Sequence, residues 1–177
     1  INNLYNIIYI MVKSVTDNMN HNLNDTWILW AHIPDDTDWT LKSYIKIMKF
    51  NTVEELISLY DNISEKFINN CMLFLMKEGV TPMWEDKRNK EGGCFSYKIN
   101  NKLTILIWKK TSFSLAGASL TSDISHYNDI NGITISPKKN FCILKVWFSN
   151  CNNQNPTIIN EEIGLLSKGC LFKKHIS

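Results

Sequence analysis

The chain has 177 residues, of which 44% are hydrophobic and 20% are charged, and its formal net charge is +2. This length predicts a core that folds without disulfides or metals, and the small charge excludes a protein that coats nucleic acid through bulk charge. Five cysteines without a CxxC pair argue against a zinc site or a disulfide framework and favour a reducing compartment. The apolar segment NIIYIMV near the start is too short to span a bilayer, so no membrane association is predicted.

The segment 1–20 is Asn-rich and weakly patterned, which predicts a flexible or loosely docked arm before a single domain over 21–177. Two strands follow at 26–33 and 43–50, predicted from their aromatic and β-branched residues, and an aspartate-rich, solvated turn joins them. The hydrophobic period then changes to that of a helix over 52–62. A Thr at its start and a Glu three residues later are typical of a capping box.

Further along the chain, strands are predicted at 71–76 and 94–99, with a long loop between them that ends in two glycines. These glycines, Gly92 and Gly93, are expected to re-enter the sheet with unusual backbone angles. The remaining predicted elements are a helix at 103–117, a hairpin of strands at 132–136 and 141–149, a helix at 157–169 and a last strand at 170–177. This pattern predicts an α+β fold, with one curved, mainly antiparallel sheet and helices on one face.

Two tryptophans, Trp39 and Trp84, lie in polar segments, whereas the other four lie in apolar segments and are interpreted as core residues. Trp84 directly precedes Glu85. An indole face attracts a delocalised cation, and a carboxylate accepts two hydrogens from a planar donor edge. Together these residues predict a slot for a flat, cationic ring that donates hydrogen bonds.

The segment TPMWEDKRNKEGG, residues 81–93, resembles the cap-binding loop of the eukaryotic translation initiation factor 4E family. HNLNDTWILW at 21–30 is similar to the opening of that family, and TVEELISLYDNI at 52–63 is similar to its first helix. The segment from Gly132 to Trp147 resembles the late hairpin of the same family. The Asn- and Ile-rich composition with a single arginine suggests an AT-rich coding genome and a divergent or viral member of the family.

The resemblance implies a sheet with helices on its convex face and the 7-methylguanosine cap of messenger RNA on its concave side. Trp39 and Trp84 would stack on the methylated base, and Glu85 would accept its ring and amino hydrogens. The cap phosphates would be bound by lysines, with Lys138 the best match, Lys139 beside it, and Lys145 weaker because a strand lysine can simply be solvated. Cys94 stands where relatives often have a basic residue. Asp86 is expected to order the loop.

Members of this family bind a partner helix of the Tyr-x-x-x-x-Leu type on the back of the sheet, and the resemblance carries this surface to His21, Leu23, Val53, Ile57 and Lys109. Of these, Ile57 and Lys109 replace Trp and Leu of the family pattern. Such changes are expected to weaken binding of the standard partner or to select a dedicated one. The alternative is that Ile57 is a core residue.

The leading hypothesis is a cytoplasmic cap-binding protein that recruits mRNA for translation initiation, acting in the host cytoplasm for a viral member. A second hypothesis is a competitor that occupies caps and represses translation. An enzyme is not expected, because no P-loop, metal-ligand cluster or catalytic triad is present in the sequence, and no cofactor is predicted. The remaining alternative is an interaction module whose cap slot has decayed.

Overall fold

Seven strands form a single curved sheet in which every neighbouring pair is antiparallel. They are β1 Asn22–His32, β2 Tyr44–Thr52, β3 Met72–Lys77, β4 Gly93–Asn100, β5 Ile130–Pro137, β6 Phe141–Phe148 and β7 Leu171–Lys174. Their order across the sheet is β2-β1-β3-β5-β6-β4-β7. The structure is a computed structural model that describes residues 20–175, so the predicted arm lies almost entirely outside the described residues. The predicted fold class is confirmed.

Helices connect the strands: α1 Val53–Asn62, α2 Glu65–Asn70, α3 Thr104–Ala116 and α4 Ile124–Tyr127. The predicted capping box is present at the start of α1, since Thr52 Oγ1 accepts from the Glu55 N–H and the Glu55 carboxylate accepts from the Thr52 N–H, both at 3.2 Å. The helix predicted at 103–117 is confirmed as α3. In the described part of the chain, no helix has the length and apolar character needed to cross a membrane.

The two faces of the sheet carry separate apolar clusters. Because side chains alternate along a strand, Trp27 and Leu29 of β1 point into the large core beneath the helices. Their neighbours Ile28 and Trp30 belong to a smaller cluster on the other face, which also contains Phe74, Met76, Val80, Cys94 and Trp147. The face opposite the helices is therefore apolar at its base and open above it.

The prediction of a helix at 157–169 is wrong. This segment contains two single 3₁₀ turns, Pro156–Ile158 and Glu161–Ile163. Each turn follows an asparagine, Asn155 or Asn160, whose side-chain oxygen accepts from the backbone N–H two residues later at 3.1 and 3.0 Å. Gly164 then adopts a left-handed φ of 99°, which ends the second turn. Local asparagine bonds compete with helix formation here, because they satisfy the same backbone N–H groups.

Candidate ligand-binding site

The loop over residues 78–92 joins β3 to β4 and is organised by the carboxylate of Asp86. Its Oδ2 accepts from the N–H and hydroxyl of Thr81, at 2.9 and 2.6 Å, and its Oδ1 accepts from the N–H of Arg88 at 2.8 Å. Partial burial opposes ionisation of this carboxyl, but the hydrogen bonds from Thr81 and Arg88 outweigh that effect and lower the pKa of Asp86. Asp86 therefore orders the loop.

Asn89 lies at the centre of the same loop, with its side chain fully buried. Its amide nitrogen donates to the carbonyl oxygens of Thr81 and Met83 at 3.0 and 2.7 Å, and its amide oxygen accepts from Asn131 at 2.8 Å. The backbone carbonyl of Asn89 also accepts from Nδ1 of His175 at 2.7 Å. These bonds attach the loop to the start of β5 and to the residue that follows β7.

Two glycines at the end of the loop are required by close approach of neighbouring strands. A Cβ at Gly92 would lie 1.8 Å from the carbonyl oxygen of Phe148, and one at Gly93 would lie 2.7 Å from the carbonyl oxygen of Lys173. Neither glycine has a positive φ. The prediction of unusual backbone angles at these positions is therefore wrong, and lack of space for a side chain explains them.

Trp39 lies in the connection between β1 and β2 and is supported by His32. The indole and imidazole planes are inclined by only 3°, and their centroids are 4.1 Å apart. His32 is buried, and its Nε2 donates to the carbonyl oxygen of Asp38 at 2.8 Å, which fixes the orientation of the ring. His32 thus covers one face of the indole, while the Trp39 side chain remains 55% exposed.

A cavity of about 640 Å³ opens above the smaller apolar cluster. Trp39, Trp84 and Glu85 line it, and Trp84 is 51% exposed. Four lysines line the same cavity: Lys138, Lys145, Lys173 and Lys174. Glu85 is the only carboxylate among the described lining residues. The cavity therefore combines two exposed aromatic surfaces, one acid and a group of cations.

Aromatic rings form the base of this cavity. Tyr44, Phe74 and Trp147 follow one another in edge-on contacts, at centroid distances of 5.3 and 6.5 Å, and His175 lies 4.6 Å from Trp147. Burial raises the pKa of Tyr44 to about 12, and the nearby charge of Glu85 adds to this shift. Burial lowers the pKa of His175. The base is therefore neutral at physiological pH, which leaves the charged ligand groups to Glu85 and the lysines.

Glu85 and two of the lysines, Lys145 and Lys173, act on different halves of the sheet. The charge of Glu85 acts on Tyr44 of β2, at one edge. Burial raises the pKa of the Cys94 thiol on β4, and the ammonium groups of Lys145 and Lys173 oppose this shift. Strand β4 lies near the other edge of the sheet. A ligand with a cationic part and an anionic part can therefore satisfy both groups at once.

The sequence predicted much of this lining. Trp39, Trp84, Glu85, Lys138 and Lys145 lie together around the cavity, whereas Lys139 lies in the same turn as Lys138 but is not among the lining residues. Sequence reasoning missed further lining residues, including Tyr44, Phe74, Trp147, Lys173, Lys174 and His175. The alternation within β6 could have revealed Trp147, because it shares a strand face with Lys145.

The residues predicted to bind a partner helix lie at the start of β1 and on α1 and α3. His21 and Val53 are adjacent, since the Val53 N–H donates to the His21 carbonyl oxygen at 2.9 Å. Leu23 is partly buried against the large core. Ile57 is 46% exposed, which contradicts its interpretation as a core residue. Lys109 extends from α3 toward α1, and its Nζ donates to the carbonyl oxygen of Tyr60 at 3.5 Å.

Comparison with known proteins identifies the family. The family model described as eukaryotic initiation factor 4E matches residues 22–175. The chain belongs to the eukaryotic initiation factor 4E family. Eukaryotic translation initiation factor 4E of Xenopus laevis is 29% identical over 160 residues, which cover 84% of this chain and 73% of the relative. The human factor is 28% identical over 159 residues, covering 84% and 72%. The predicted family resemblance is confirmed.

Solved structures of initiation factor 4E proteins share the fold. C. elegans eIF4E-3, solved with the 4E-binding protein Mextli and a cap analog, aligns with a TM-score of 0.78 and 21% identity over 89% of this chain and 94% of that one. Ascaris suum eIF4E-3 with m7G cap aligns with a TM-score of 0.76 and 20% identity, over 90% and 93%. At these identities the likeness concerns the fold.

Proposed function

We propose that this chain binds the 7-methylguanosine cap of mRNA in the cavity and acts in translation initiation in the cytoplasm. The observation that carries the proposal is the composition of the cavity, which is lined by Trp39, Trp84 and Glu85 together with four lysines. Methylation at N7 makes guanine cationic, and the cap adds a triphosphate. The cap therefore carries a positive part that matches Glu85 and a negative part that matches the lysines. Membership of the initiation factor 4E family supports the same ligand.

In the proposed complex the methylated base stacks between Trp39 and Trp84. The Glu85 carboxylate accepts the hydrogens of the ring nitrogen and the exocyclic amine, and the backbone N–H of Trp84 donates to the ring oxygen. Stacking of a base on an aromatic side chain contributes about 1–3 kcal/mol, and a hydrogen bond to a charged group contributes roughly 1.5–3 kcal/mol. Unmethylated guanine lacks the positive charge, so it loses part of both contributions.

The triphosphate is assigned to Lys138, Lys139 and Lys145. Lys138 and Lys145 line the cavity, whereas Lys139 lies in the same turn as Lys138 and does not line it. Cys94 supplies no charge to the phosphates. We expect Lys145 to compensate, because it lies on the strand beside Cys94 and faces the same side of the sheet.

Intrinsic tryptophan fluorescence tests the proposal directly. Titration with 7-methylguanosine triphosphate is expected to quench the emission of Trp39 and Trp84, and guanosine triphosphate is expected to bind much more weakly. Glu85→Gln should lower the affinity by roughly tenfold to a hundredfold, the equivalent of one charge-assisted hydrogen bond. Glu91→Gln is the matched control, since Glu91 is an exposed carboxylate of the same loop outside the cavity. Equal affinity for the methylated and unmethylated nucleotides would refute cap binding.

A second candidate function is repression, in which the chain occupies caps without recruiting the initiation machinery. Ile57, which replaces a Trp of the family pattern, and the charged Lys109 favour it. The first change removes a large contact surface, and the second places a charge where a Tyr-x-x-x-x-Leu helix presents apolar side chains. The proposed partner residues are His21, Leu23, Val53, Ile57 and Lys109. Some of the solved relatives are complexes with 4E-binding proteins, such as C. elegans eIF4E-3 with Mextli, which supports a dedicated partner as the alternative to a scaffold factor.

A translation extract distinguishes recruitment from repression. In an extract depleted of its own cap-binding factor, a recruiter restores translation of a capped reporter. A repressor fails to restore it and lowers capped translation in the undepleted extract. The double variant Ile57→Trp with Lys109→Leu is expected to increase affinity for a Tyr-x-x-x-x-Leu peptide. Unchanged peptide affinity would show that these two positions do not determine partner choice.

A further inference from the structure

Half of the sheet carries lysines without any acid. The adjacent strands β5, β6, β4 and β7 contain four lysines and no Asp or Glu. Three of them form what we call the basic strip: Lys98 on β4, Lys145 on β6 and Lys173 on β7. Register places all three on the cavity side, since Lys173 pairs with Cys94, and Lys145 pairs with Ser96, two residues further along β4. Lys98 follows after two more residues, on the same face.

The cations of the basic strip have no acidic partner in the part of the chain that the structure describes. The ion pairs between residues 20 and 175 involve His21, Lys49, Lys77 and Lys90 instead. Lys145 and Lys173 lie on the two strands that flank β4, at neighbouring positions of one face, opposite Ser96 and Cys94. Like charges held together on one face destabilise the free protein, and an anionic ligand removes this repulsion. The arrangement therefore favours a polyanion.

The basic strip extends beyond the cavity. Lys145 and Lys173 line the cavity, whereas Lys98 lies outside it. Two residues along a strand span about 6.8 Å, so Lys98 continues the strip by one step along β4. Its Nζ lies 4.6 Å from the centroid of Phe141, a partly exposed ring. Lysines beside an aromatic ring are typical of surfaces that bind single-stranded nucleic acid, because bases stack on the ring and phosphates contact the cations.

We propose that the basic strip binds the RNA backbone of the nucleotides that follow the cap. This inference rests on the proposed function, because a cap held in the cavity must continue into its RNA chain. Lys145, which is assigned to the cap triphosphate, begins the path, and Lys173 contacts a phosphate of the RNA near the cavity. Lys98 contacts a phosphate further along the RNA, and Phe141 offers a stacking surface for a base. The chain therefore reads the cap together with the first few nucleotides, without preference for their sequence.

The test compares 7-methylguanosine triphosphate with a capped oligoribonucleotide of ten residues. The wild-type chain is expected to bind the capped RNA more tightly than the nucleotide. Lys98→Gln is expected to weaken capped-RNA binding about fivefold at about 0.1 M salt and to reduce the salt slope by about 0.7, the value for one phosphate contact on a single strand. The affinity of the Lys98→Gln protein for the nucleotide is expected to stay unchanged, and Lys98→Arg is expected to retain capped-RNA binding. Lys110→Gln, on α3, is the matched control.

The outcomes separate the two proposals. Absence of methyl-dependent nucleotide binding refutes the cap site itself. If binding depends on the methyl group but the nucleotide and the capped RNA bind with equal affinity, only the role of the basic strip is refuted. The same conclusion follows if Lys98→Gln and Lys110→Gln lose the same amount of affinity for capped RNA. A polyglutamate peptide and an uncapped RNA of the same charge can each be tested as competitors of capped RNA. If the peptide competes as strongly as the uncapped RNA, the surface is assigned to acidic peptides, and the inference is overturned.

Discussion

Replacing the buried Asn89 is expected to weaken both the fold and the ligand site, because its side chain holds the loop that carries Trp84 and Glu85. Asn89→Ala removes three hydrogen bonds, two to carbonyl oxygens of the loop and one from Asn131. The side chain is fully buried, so water cannot easily replace the lost partners. Its binding partners are left unsatisfied within the protein.

The magnitude follows from the number of bonds. Each neutral hydrogen bond contributes about 1 kcal/mol, so Asn89→Ala should lower the free energy of unfolding by about 3 kcal/mol. For a chain of this size that corresponds to a fall in melting temperature of roughly 6–12 °C. Asn131→Ala removes two bonds, to the Arg88 carbonyl and to Asn89, and should lose about 2 kcal/mol. The double variant should lose about 1 kcal/mol less than the two single losses together, because they share a bond.

Thermal and urea unfolding of the four proteins measure these differences, and titration with 7-methylguanosine triphosphate measures the effect on binding. Affinity is expected to fall in Asn89→Ala, because part of the binding energy must then order the loop. Asn152→Ala is the control, since Asn152 is exposed and its side chain makes no hydrogen bond within residues 20–175. An Asn89→Ala protein as stable as the control, with unchanged affinity, would refute the view that this network positions the site.

Two further predictions concern the same loop. Gly92→Ala should strongly destabilise the protein, because the new Cβ would lie 1.8 Å from the backbone oxygen of Phe148; a urea midpoint equal to that of the wild type would contradict this close approach. The pKa of Asp86 is lowered in the folded state, so its ionised form stabilises the fold above the unfolded pKa of about 3.9, and this contribution disappears as the pH falls through the lower, folded pKa. The stability difference between wild type and Asp86→Asn should therefore be largest near neutral pH and shrink in acid, and a difference independent of pH would argue against it.

The parts of the site that depend on local sequence were predictable. Trp84 and Glu85 are adjacent in the chain, so any loop that exposes one brings the other to the same place. The capping box at Thr52 and the hairpin around Lys138 are equally local, since a few neighbouring residues determine them. Pattern and motif therefore predicted the part of the cavity that local segments form.

The rest of the cavity depends on strand register, which the sequence did not reveal. Lys173 and His175 reach the cavity only because β7 pairs with β4 at the far edge of the sheet, more than seventy residues away in sequence. Trp147 was interpreted as core, and it is buried, but it also lines the cavity. The wrong prediction of a helix at 157–169 has a local cause. The apolar residues of this segment have helical spacing, but asparagine side chains accept hydrogen bonds from its backbone N–H groups and form short turns instead.

The hydrogen bonds of Asn89 connect the loop part of the cavity with the part formed by β7. Through its side chain, Asn89 holds the loop and contacts Asn131 at the start of β5, and its carbonyl oxygen accepts from His175 at the end of β7. The loop that presents Trp84 and Glu85 is therefore attached to the strand that presents Lys173. Fraying of β7 would remove a cation from the cavity and a support from the loop at the same time. Binding of the base and binding of the phosphates should consequently be coupled, since either ligand group stabilises the arrangement that the other requires.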